Sequence, residues 1–549
     1  MFPVLTAAEV ARLRRFGKPR RYREGEALAR VGDVGHGLEI LLSGEVEISQ
    51  HDHSGLRTPI VTHGPGGFVG ELGQLSGRPF LVDAYVRGDV EALTIPPDRL
   101  RALLVAEAEL GERIMRALIL RRVGLIEAGA GGPIIVGRGG DGEVLRLQGF
   151  LSRNGHPHQL LDPDTDGEAR ALVERFQVAE GELPIVLCPS GGLLRNPSEG
   201  SLARCLGLVG PIDPGRLFDV AVIGAGPAGL ATAVYAASEG LDVLVLDCRA
   251  FGGQAGASAR IENYLGFPTG ISGMALMARA YNQAQKFGVE MAIPDEAVKL
   301  ECGDTEDGAR HLALANGERI RARAVVIATG ARYRRLDVAD LDAYEGASVH
   351  YWASPLEAKL VAGQDVALVG GGNSAGQAVV FLAGHAKRVT LLARRPLEET
   401  MSAYLVERIA GLANVEVVTG VAITALEGAD HALEAIRMKT RSSGVEVRLT
   451  LRHLFLFIGA DPNTDWLAGC GLGLDPGGFI LTGPQARAGR LPLETSRSGV
   501  FAVGDVRSSS VKRVAAAVGD GAQVVAAIHA FLADAPVPAS AKPVREAAL

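Results

Sequence analysis

The stretch Gly224-Ala-Gly226-Pro-Ala-Gly229 decides the fold, because it follows an apolar run, residues 219–223, and opens a helical pattern. In this spacing Gly224 permits a sharp turn from strand to helix, and Gly229 lets the helix pack closely on the strand. Gly226 lets the backbone approach a pyrophosphate, which the N-terminus of the helix then faces. Asp247 ends the next apolar run, where an acid would bind an adenosine ribose. The stretch therefore predicts a dinucleotide-binding unit with parallel strands.

A second fingerprint, Gly370-Gly-Gly372-Asn-Ser-Ala375, follows another apolar run at residues 365–369. Its form fits a nicotinamide dinucleotide unit inserted into the first. The next strand pattern, residues 389–392, ends near Arg394 and Arg395, with no acid for the ribose hydroxyls of NAD. Two guanidiniums suit a 2′-phosphate through charge-assisted bonds, so NADPH is favoured over NADH.

The composition and charge of the chain narrow the class of protein. A chain of 549 residues with 47% hydrophobic residues and 71 glycines indicates several domains of soluble α/β type. The net charge of −7 argues against nucleic acid as the main partner. Charges run through the first residues, and no stretch reaches the roughly 20 apolar residues that span a bilayer, so no membrane partner and a cytoplasmic location are expected. The five cysteines are widely spaced, so each is interpreted as a small buried residue, with no metal site.

Two smaller units precede the first fingerprint. Residues 20–100 show short apolar runs separated by glycines, which predicts a β-roll, and a helical pattern follows from Pro97 to about residue 126. After a glycine-rich linker, strand patterns at residues 134–136, 158–161 and 184–188 flank a helix at residues 143–154. The chain is thus predicted to be multidomain.

The segment Phe251-Gly252-Gly253-Gln254, followed by Ile261-Glu-Asn263-Tyr264 and Gly266-Phe-Pro268, resembles the low-molecular-weight thioredoxin reductase family. The resemblance implies a two-dinucleotide flavoprotein, a homodimer, and a nicotinamide unit that rotates for hydride transfer. It departs at Val514, where the family usually has Gln. The implied FAD residues are Gly224, Gly226, Pro227, Ala228, Gly229, Asp247, Gly252, Gly253, Gln254, Asn263, Val298, Ala328, Thr329, Gly330, Gly504, Asp505, Val514 and Ala515. The NAD(P) residues are Gly370, Gly372, Asn373, Ser374, Ala375, Arg394 and Arg395.

The family's redox-active cysteine pair is missing. At Tyr351-Trp352-Ala353-Ser354-Pro355, Trp352 and Pro355 stand where the family carries its two cysteines. Neither residue can exchange a disulfide, which requires a thiolate and a resolving thiol. No protein residue is therefore assigned a catalytic role, and the chemistry is expected on FAD. Ferredoxin-NADP reductases of the thioredoxin reductase type also lack the pair and serve other acceptors.

The two N-terminal units carry their own resemblances. Residues 134–188 resemble a glutaredoxin or thioredoxin fold, with Leu183-Pro184 at the cis-proline position and Gly139-Gly-Asp-Gly142 where the dithiol would lie. Gly70-Glu71-Leu72 resembles the phosphate-binding cassette of cyclic nucleotide-binding domains, which implies a candidate cyclic nucleotide site. The family's Arg-Ser/Thr-Ala reads Val82-Asp83-Ala84 here, so the phosphate-neutralising arginine is absent.

The predicted units are an N-terminal roll (1–128), a thioredoxin-like unit (132–210), a first dinucleotide unit (217–340 and 456–533), a second dinucleotide unit (341–455) and a tail (534–549). The expected function is an FAD-dependent NAD(P)H oxidoreductase that passes electrons to a small-molecule or protein acceptor, modulated by the N-terminal roll. Two alternatives remain open: a non-enzymatic flavin and nucleotide redox sensor, and a thioredoxin-disulfide reductase that uses a remote or partner thiol such as Cys470.

Overall fold

The structure is a computed structural model of the whole chain. The residues it describes are 3–51, 57–70, 79–128, 132–189, 192–210, 212–258, 260–301, 308–345, 347–353, 355–429, 432–486 and 491–534.

The N-terminal roll is the predicted β-roll followed by helices. Its strands form one sheet in which the long third and sixth strands pair antiparallel through most of their length. Leu100, Leu103 and Leu104 of the first helix after the sheet are buried in the core below it. The elements are α1 (Ala7–Leu13), β1 (Lys18–Tyr22), β2 (Ala27–Ala29), β3 (Leu38–His51), β4 (Arg57–His63), β5 (Phe68–Val69), β6 (Asp83–Ile95), α2 (Pro97–Ala106) and α3 (Ala108–Ala128).

The thioredoxin-like unit has a four-stranded sheet in the order β10-β9-β7-β8, with β8 parallel and β9 antiparallel to β7. The predicted strands and helix are present, and the Leu183-Pro184 bond is cis. A side chain at Gly137 would contact Pro184, and Gly139 to Gly142, at the position of the absent dithiol, lead into the start of α4. The elements are β7 (Ile134–Val136), α4 (Gly142–Arg153), β8 (Gln159–Leu161), α5 (Gly167–Arg175), β9 (Ile185–Leu187), β10 (Leu193–Arg195) and α6 (Glu199–Cys205).

The first dinucleotide unit is a sheet in the order β13-β12-β11-β16-β15-β14, with β27 beside β16. The central strand β11, which precedes the glycine turn, pairs parallel with β12 and β16. Its last four residues are buried, as expected for a parallel strand covered on both faces. The elements are β11 (Leu217–Ile223), α7 (Pro227–Ser238), β12 (Val243–Leu246), α8 (Gly253–Gly256), α9 (Gly273–Lys286), β13 (Glu290–Ala292), β14 (Ala297–Glu301), β15 (Arg310–Leu314), β16 (Arg319–Ile327), β27 (Val500–Ala502) and α14 (Val514–Asp534).

The second dinucleotide unit has a parallel sheet in the order β18-β25-β19-β20-β21 and a three-stranded antiparallel sheet, β22-β23-β24. The chain passes from the first unit to the second and later returns. The two connecting segments, β17 (Ala331–Tyr333) and β26 (Ala460–Pro462), pair as an antiparallel two-stranded ribbon. The elements are α10 (Leu341–Tyr344), β18 (Val349–His350), α11 (Pro355–Leu360), β19 (Asp365–Val369), α12 (Asn373–Ala383), β20 (Arg388–Ala393), α13 (Ala403–Ala410), β21 (Val415–Thr419), β22 (Val421–Ala429), β23 (Ala432–Thr440), β24 (Glu446–Thr450) and β25 (His453–Leu456).

The interpretation of the cysteines as separate buried residues was wrong for at least one pair. Cys188 follows β9 and Cys205 ends α6, and their Cα atoms lie 6.4 Å apart in a disulfide. The fold brings the two ends within bridging distance, which their spacing in the sequence does not reveal. Cys470 is also disulfide-bonded, whereas Cys248 is free and exposed.

One described helix, α14, is long and apolar enough to cross a membrane by length and composition, although no such stretch was expected from the sequence. Its residues Val524, Val525 and Ile528 are buried in the core that α7 and β11 also form. We therefore interpret α14 as a core helix of the first dinucleotide unit.

The packing of α14 on α7 predicts opposite effects of two neighbouring glycine substitutions. A Cβ at Gly521 would lie 2.4 Å from the Ala228 carbonyl oxygen, whereas a Cβ at Gly519 would have nothing within 4 Å. We expect Gly521→Ala to lower the free energy of unfolding by about 1–3 kcal/mol. Gly519→Ala should raise it by up to about 1 kcal/mol, because alanine is the better helix former. Thermal unfolding midpoints measure both, and equal midpoints would contradict this packing.

Candidate active site

A cavity of about 680 Å³ lies between the two dinucleotide units. The first unit contributes the β11–α7 turn, the segment after β12, and the start of α14. The second contributes residues near Trp352 and the inward face of α12. The lining residues that the sequence predicted are Gly224, Gly226, Pro227, Ala228, Asp247, Gly253, Gln254, Ala328, Thr329, Gly330, Ser374, Gly504, Asp505 and Val514.

The three fingerprint glycines have distinct geometric roles. Gly224 has φ +112°, and a Cβ there would lie 2.2 Å from the Ala328 carbonyl oxygen. A Cβ at Gly229 would lie 1.9 Å from the Gly224 carbonyl oxygen, so only glycine lets α7 approach β11 this closely. A Cβ at Gly226 would have its nearest atom 3.9 Å away, and Gly226 is the N-cap of α7, with no side-chain hydrogen bond to the helix. The backbone at Gly226 and the amides of the first turn of α7 are thus open to the cavity and form a suitable binding site for an anion.

Asp247 holds the loop beside this turn. Its Oδ2 accepts a hydrogen bond from Ala225 N at 2.9 Å, and its Oδ1 accepts one from Arg249 N at 3.1 Å. Burial raises the pKa of this carboxyl, and these backbone donors oppose the rise. The side chain lines the cavity.

Hydrogen bonds between loops of the first unit hold other parts of the cavity wall together. Thr329 Oγ1 donates to the Asn463 carbonyl oxygen at 2.9 Å, and the Gln254 amide donates to the Ala331 carbonyl oxygen. Lys512 Nζ donates to the carbonyl oxygen of Asp505 at 2.6 Å, while burial raises the pKa of the Asp505 carboxyl. Val514 begins α14 here, so the N-terminus of a long helix faces the cavity.

The second fingerprint has the same strand–turn–helix form. A Cβ at Gly370 would lie 2.6 Å from the Phe457 carbonyl oxygen, and Gly372 begins α12 without a side-chain cap. Asn373 donates to Ser402 Oγ at 2.9 Å and accepts from Ser402 N at 2.7 Å, which fixes the turn against the following loop. Arg394 and Arg395 are exposed just after β20.

Trp352 stands in the cavity wall. Its Nε1 donates to Glu357 Oε1 at 2.7 Å, and the guanidinium of Arg153 lies 4.1 Å from the centroid of its ring. Tyr333 lines the same cavity, and burial raises the pKa of its hydroxyl to about 12. Pro355, at the second cysteine position, begins α11. Among the described residues, no group of three or more His, Cys, Asp or Glu is placed to hold a metal ion.

Several predicted site residues lie away from the cavity lining. Val298 is 42% exposed, and its neighbour Ala297 lines the cavity instead, because successive side chains of β14 point to opposite faces. Asn263 is exposed in its loop. The other residues outside the lining are Gly229, Gly252, Ala515, Gly370, Gly372, Asn373, Ala375, Arg394 and Arg395.

The sequence did not single out several residues that line the cavity. Asp295 and Glu296 follow the cis Ile293-Pro294 bond near Asp247, and burial raises the pKa of Asp295 to about 6. Tyr333, Trp466, Arg408 and Phe381 line it elsewhere. Arg408 of α13 also pairs with Glu262 at 3.1 Å, which links the two dinucleotide units. No motif marks these residues, since they come from segments far apart in the chain.

The candidate cyclic nucleotide site falls largely outside the described residues. Gly70 is described and buried, but Glu71 and Leu72 lie outside the described residues. Asp83 is buried, and its Oδ1 accepts a hydrogen bond from Val31 N at 2.9 Å. A carboxylate beside the position of the family's phosphate-binding arginine disfavours an anionic phosphate there.

Comparisons with known proteins agree with this architecture. Residues 218–521 match the profile of the family described as pyridine nucleotide-disulphide oxidoreductase, and residues 19–107 match the cyclic nucleotide-binding domain. The chain is 34% identical to an alkyl hydroperoxide reductase component of Pseudomonas putida over 58% of its own length and 59% of that protein's. It is 34% identical to a thioredoxin reductase of Mycolicibacterium smegmatis over 55% of this chain and 93% of that protein. Among solved structures, T. acidophilum thioredoxin reductase is 28% identical with a TM-score of 0.53, covering 58% of this chain and 99% of that one.

Two glycine turns, each joining a parallel strand to a helix, define a two-dinucleotide α/β fold that follows an N-terminal β-roll. The chain belongs to the pyridine nucleotide-disulphide oxidoreductase family. The predicted fold class and the resemblance to thioredoxin reductases are thereby confirmed. The chain spans about three fifths of the length of the alkyl hydroperoxide reductase components that it matches.

Proposed function

We propose that the protein is an FAD-dependent oxidoreductase that takes hydride from NAD(P)H and passes electrons to an acceptor other than a dithiol of its own active site. One observation carries this proposal: the cavity that both fingerprints reach has Trp352 in its wall where the family has a cysteine. Disulfide exchange needs a thiolate at that place. The reductase scaffold is therefore retained, while the usual route from the flavin to a disulfide is not.

The residues present fit an FAD. The backbone at Gly226 and the uncapped start of α7 would bind the pyrophosphate, and Asp247 would bind the adenosine ribose. When bound, FAD would accept a hydride from the nicotinamide and release electrons to the acceptor. The N-terminus of α14 would stabilise negative charge in the cavity beside Val514. Arg394 and Arg395 would bind the 2′-phosphate of NADPH.

We further propose that the N-terminal roll modulates this activity through the thioredoxin-like unit. Arg122 Nε of α3 donates to the Gly155 carbonyl oxygen at 2.8 Å, just after α4. A side chain at Gly207 would lie 2.7 Å from Pro79 Cγ, so Pro79 of the roll also packs on this unit. A conformational change in the roll, whether caused by a cyclic nucleotide or by another ligand, would reach α4 through these contacts. A cytoplasmic homodimer is the form in which we expect the protein to act.

A second candidate function rests on the disulfide in the thioredoxin-like unit. Cys188–Cys205 would be the electron acceptor if the flavin served a thiol route after all. Gly139 to Gly142, which stand at the position of the absent dithiol, lead into the start of α4. Arg153, which contacts Trp352, is at the other end of this helix, about 17 Å away by helix geometry. Because this distance separates the dithiol position from Trp352, we infer that the thioredoxin-like unit packs on the dinucleotide units as a docking element and does not transfer electrons through its dithiol position.

The experiment that separates the two functions uses cysteine variants. Steady-state NAD(P)H oxidation is measured with menadione, with ferricyanide and with an added thioredoxin plus an aromatic disulfide, for the native protein and for a variant with all five cysteines replaced by Ser. We expect turnover with the small acceptors, unchanged within about twofold in the variant, because no thiol takes part. Turnover that needs thioredoxin and disappears in the variant would support the disulfide route instead.

A further inference from the structure

Arg153 is the last residue of α4 in the thioredoxin-like unit, yet it contacts a residue of the second dinucleotide unit. Its guanidinium lies 4.1 Å from the centroid of the Trp352 ring, within the range of a cation–π contact. The side chain is half-buried. Burial and the nearby Arg249 lower the pKa of Arg153, and Glu357, Tyr333 and Glu199 oppose this shift.

The end of α4 is itself anchored to the first dinucleotide unit. Asn154 Nδ2 donates to the Arg249 carbonyl oxygen at 3.2 Å, and Arg249 pairs with Glu199 of α6 at 3.0 Å. Arg249 belongs to the loop that Asp247 holds beside the fingerprint turn. Arg153 therefore extends from a fixed point on the first unit toward Trp352 on the second.

Trp352 is fixed from two directions. Glu357 accepts its Nε1–H at 2.7 Å, and Arg153 covers a face of the ring. Arg153, Arg249 and Asp247 also line a second small cavity, and Asp247 lines the main one as well. With one edge and one face of the indole held, its position in the wall of the main cavity depends on a side chain from outside both dinucleotide units.

We propose that Arg153 is a positioning residue of the flavin site, which holds the Trp352 indole as a closed wall and limits the access of small oxidants to the cavity. This inference rests on the proposed function, because it assigns the wall of the same site. It identifies the thioredoxin-like unit as a structural part of that site.

The test uses the full-length holoprotein with Trp466→Phe, which leaves Trp352 as the sole tryptophan because the chain has two. Arg153→Met is added to this background, and Trp352 emission and its quenching by acrylamide are recorded. Separately, because Trp466 lines the cavity, Arg153→Met is made without Trp466→Phe and compared with the native protein: the flavin of each is reduced with dithionite, and its reoxidation by menadione is followed in a stopped-flow instrument. Menadione takes up two electrons and two protons and becomes the hydroquinone. We expect red-shifted emission, stronger quenching, and reoxidation about three- to tenfold faster in Arg153→Met.

Two matched variants distinguish the loss of Trp352 positioning from a general destabilisation of the protein. Arg170→Met removes an exposed arginine from α5 of the same unit and should leave both measurements unchanged. Arg153→Lys keeps the charge without the planar group and should restore part of the native behaviour. If Arg153→Met fails to fold, Arg153→Lys is compared directly with the native protein and should show the same changes to a smaller extent.

Unchanged Trp352 emission and quenching, or changed emission with unchanged reoxidation, would overturn the proposal. Because dithionite replaces NAD(P)H, this result does not depend on nucleotide oxidation. A native protein that neither NADPH nor NADH reduces would overturn the proposed function while the Arg153 measurement still stands.

Discussion

Gly229→Ala should yield a protein that is nearly free of flavin. The added Cβ would lie 1.9 Å from the Gly224 carbonyl oxygen and 3.2 Å from Val222 Cγ1, and both Gly224 and Val222 are fixed by the central strand and its turn. Relief requires α7 to move away from β11, which displaces the backbone that would bind the pyrophosphate. We expect the dissociation constant for FAD to rise by about 100-fold or more, since overpacking in such a position costs several kcal/mol.

The measurement is the ratio of flavin absorbance to protein absorbance after purification, followed by titration of the apoprotein with FAD. Gly519→Ala is the matched control, because it adds the same methyl group to a helix of the same unit with nothing within 4 Å. A Gly229→Ala protein that binds FAD as tightly as this control would contradict the assignment of the turn.

The double variant Arg394→Ala/Arg395→Ala should lose its affinity for NADPH while keeping that for NADH. Both arginines are exposed after β20, and Arg395 would exchange its 3.8 Å pairing with Glu399 for a phosphate. Two charge-assisted bonds of about 1.5–3 kcal/mol each would vanish with the guanidiniums, so KM for NADPH should rise about 100-fold or more. KM for NADH should stay within about twofold, because NADH has no 2′-phosphate.

Arg388→Ala is the control for this pair, since it removes an exposed arginine from the opposite end of β20. The KM values for both nucleotides are measured with the same acceptor. Equal losses for NADPH and NADH would indicate that the arginines act on the fold of the unit, and no loss for either would place the 2′-phosphate elsewhere.

Local patterns were sufficient to predict the dinucleotide turns. Gly229 is required by a contact within one strand–turn–helix unit, Gly224 has a positive φ at the turn, and Asp247 follows the neighbouring strand of the same sheet. Such short-range geometry is encoded in residue spacing. The strands of the thioredoxin-like unit were predicted from such local patterns, whereas the cis Leu183-Pro184 bond was expected from the resemblance to a thioredoxin fold.

Contacts between units could not be predicted in this way. Arg153 and Trp352 are separated by most of the first dinucleotide unit, and no motif connects them. The Cys188–Cys205 disulfide depends on where α6 ends relative to β9. Val298 was assigned to the cofactor although Ala297 lines the cavity, because a difference of one residue along a strand reverses the face.

The central claim is most directly tested by anaerobic titration of the purified native protein with NADPH and, separately, with NADH, while the flavin absorbance near 450 nm is followed. The account predicts a yellow protein whose flavin is bleached by NADPH at lower concentration than by NADH, and whose colour returns when menadione is added without thioredoxin. A colourless protein, or a yellow one that neither nucleotide bleaches, would contradict it.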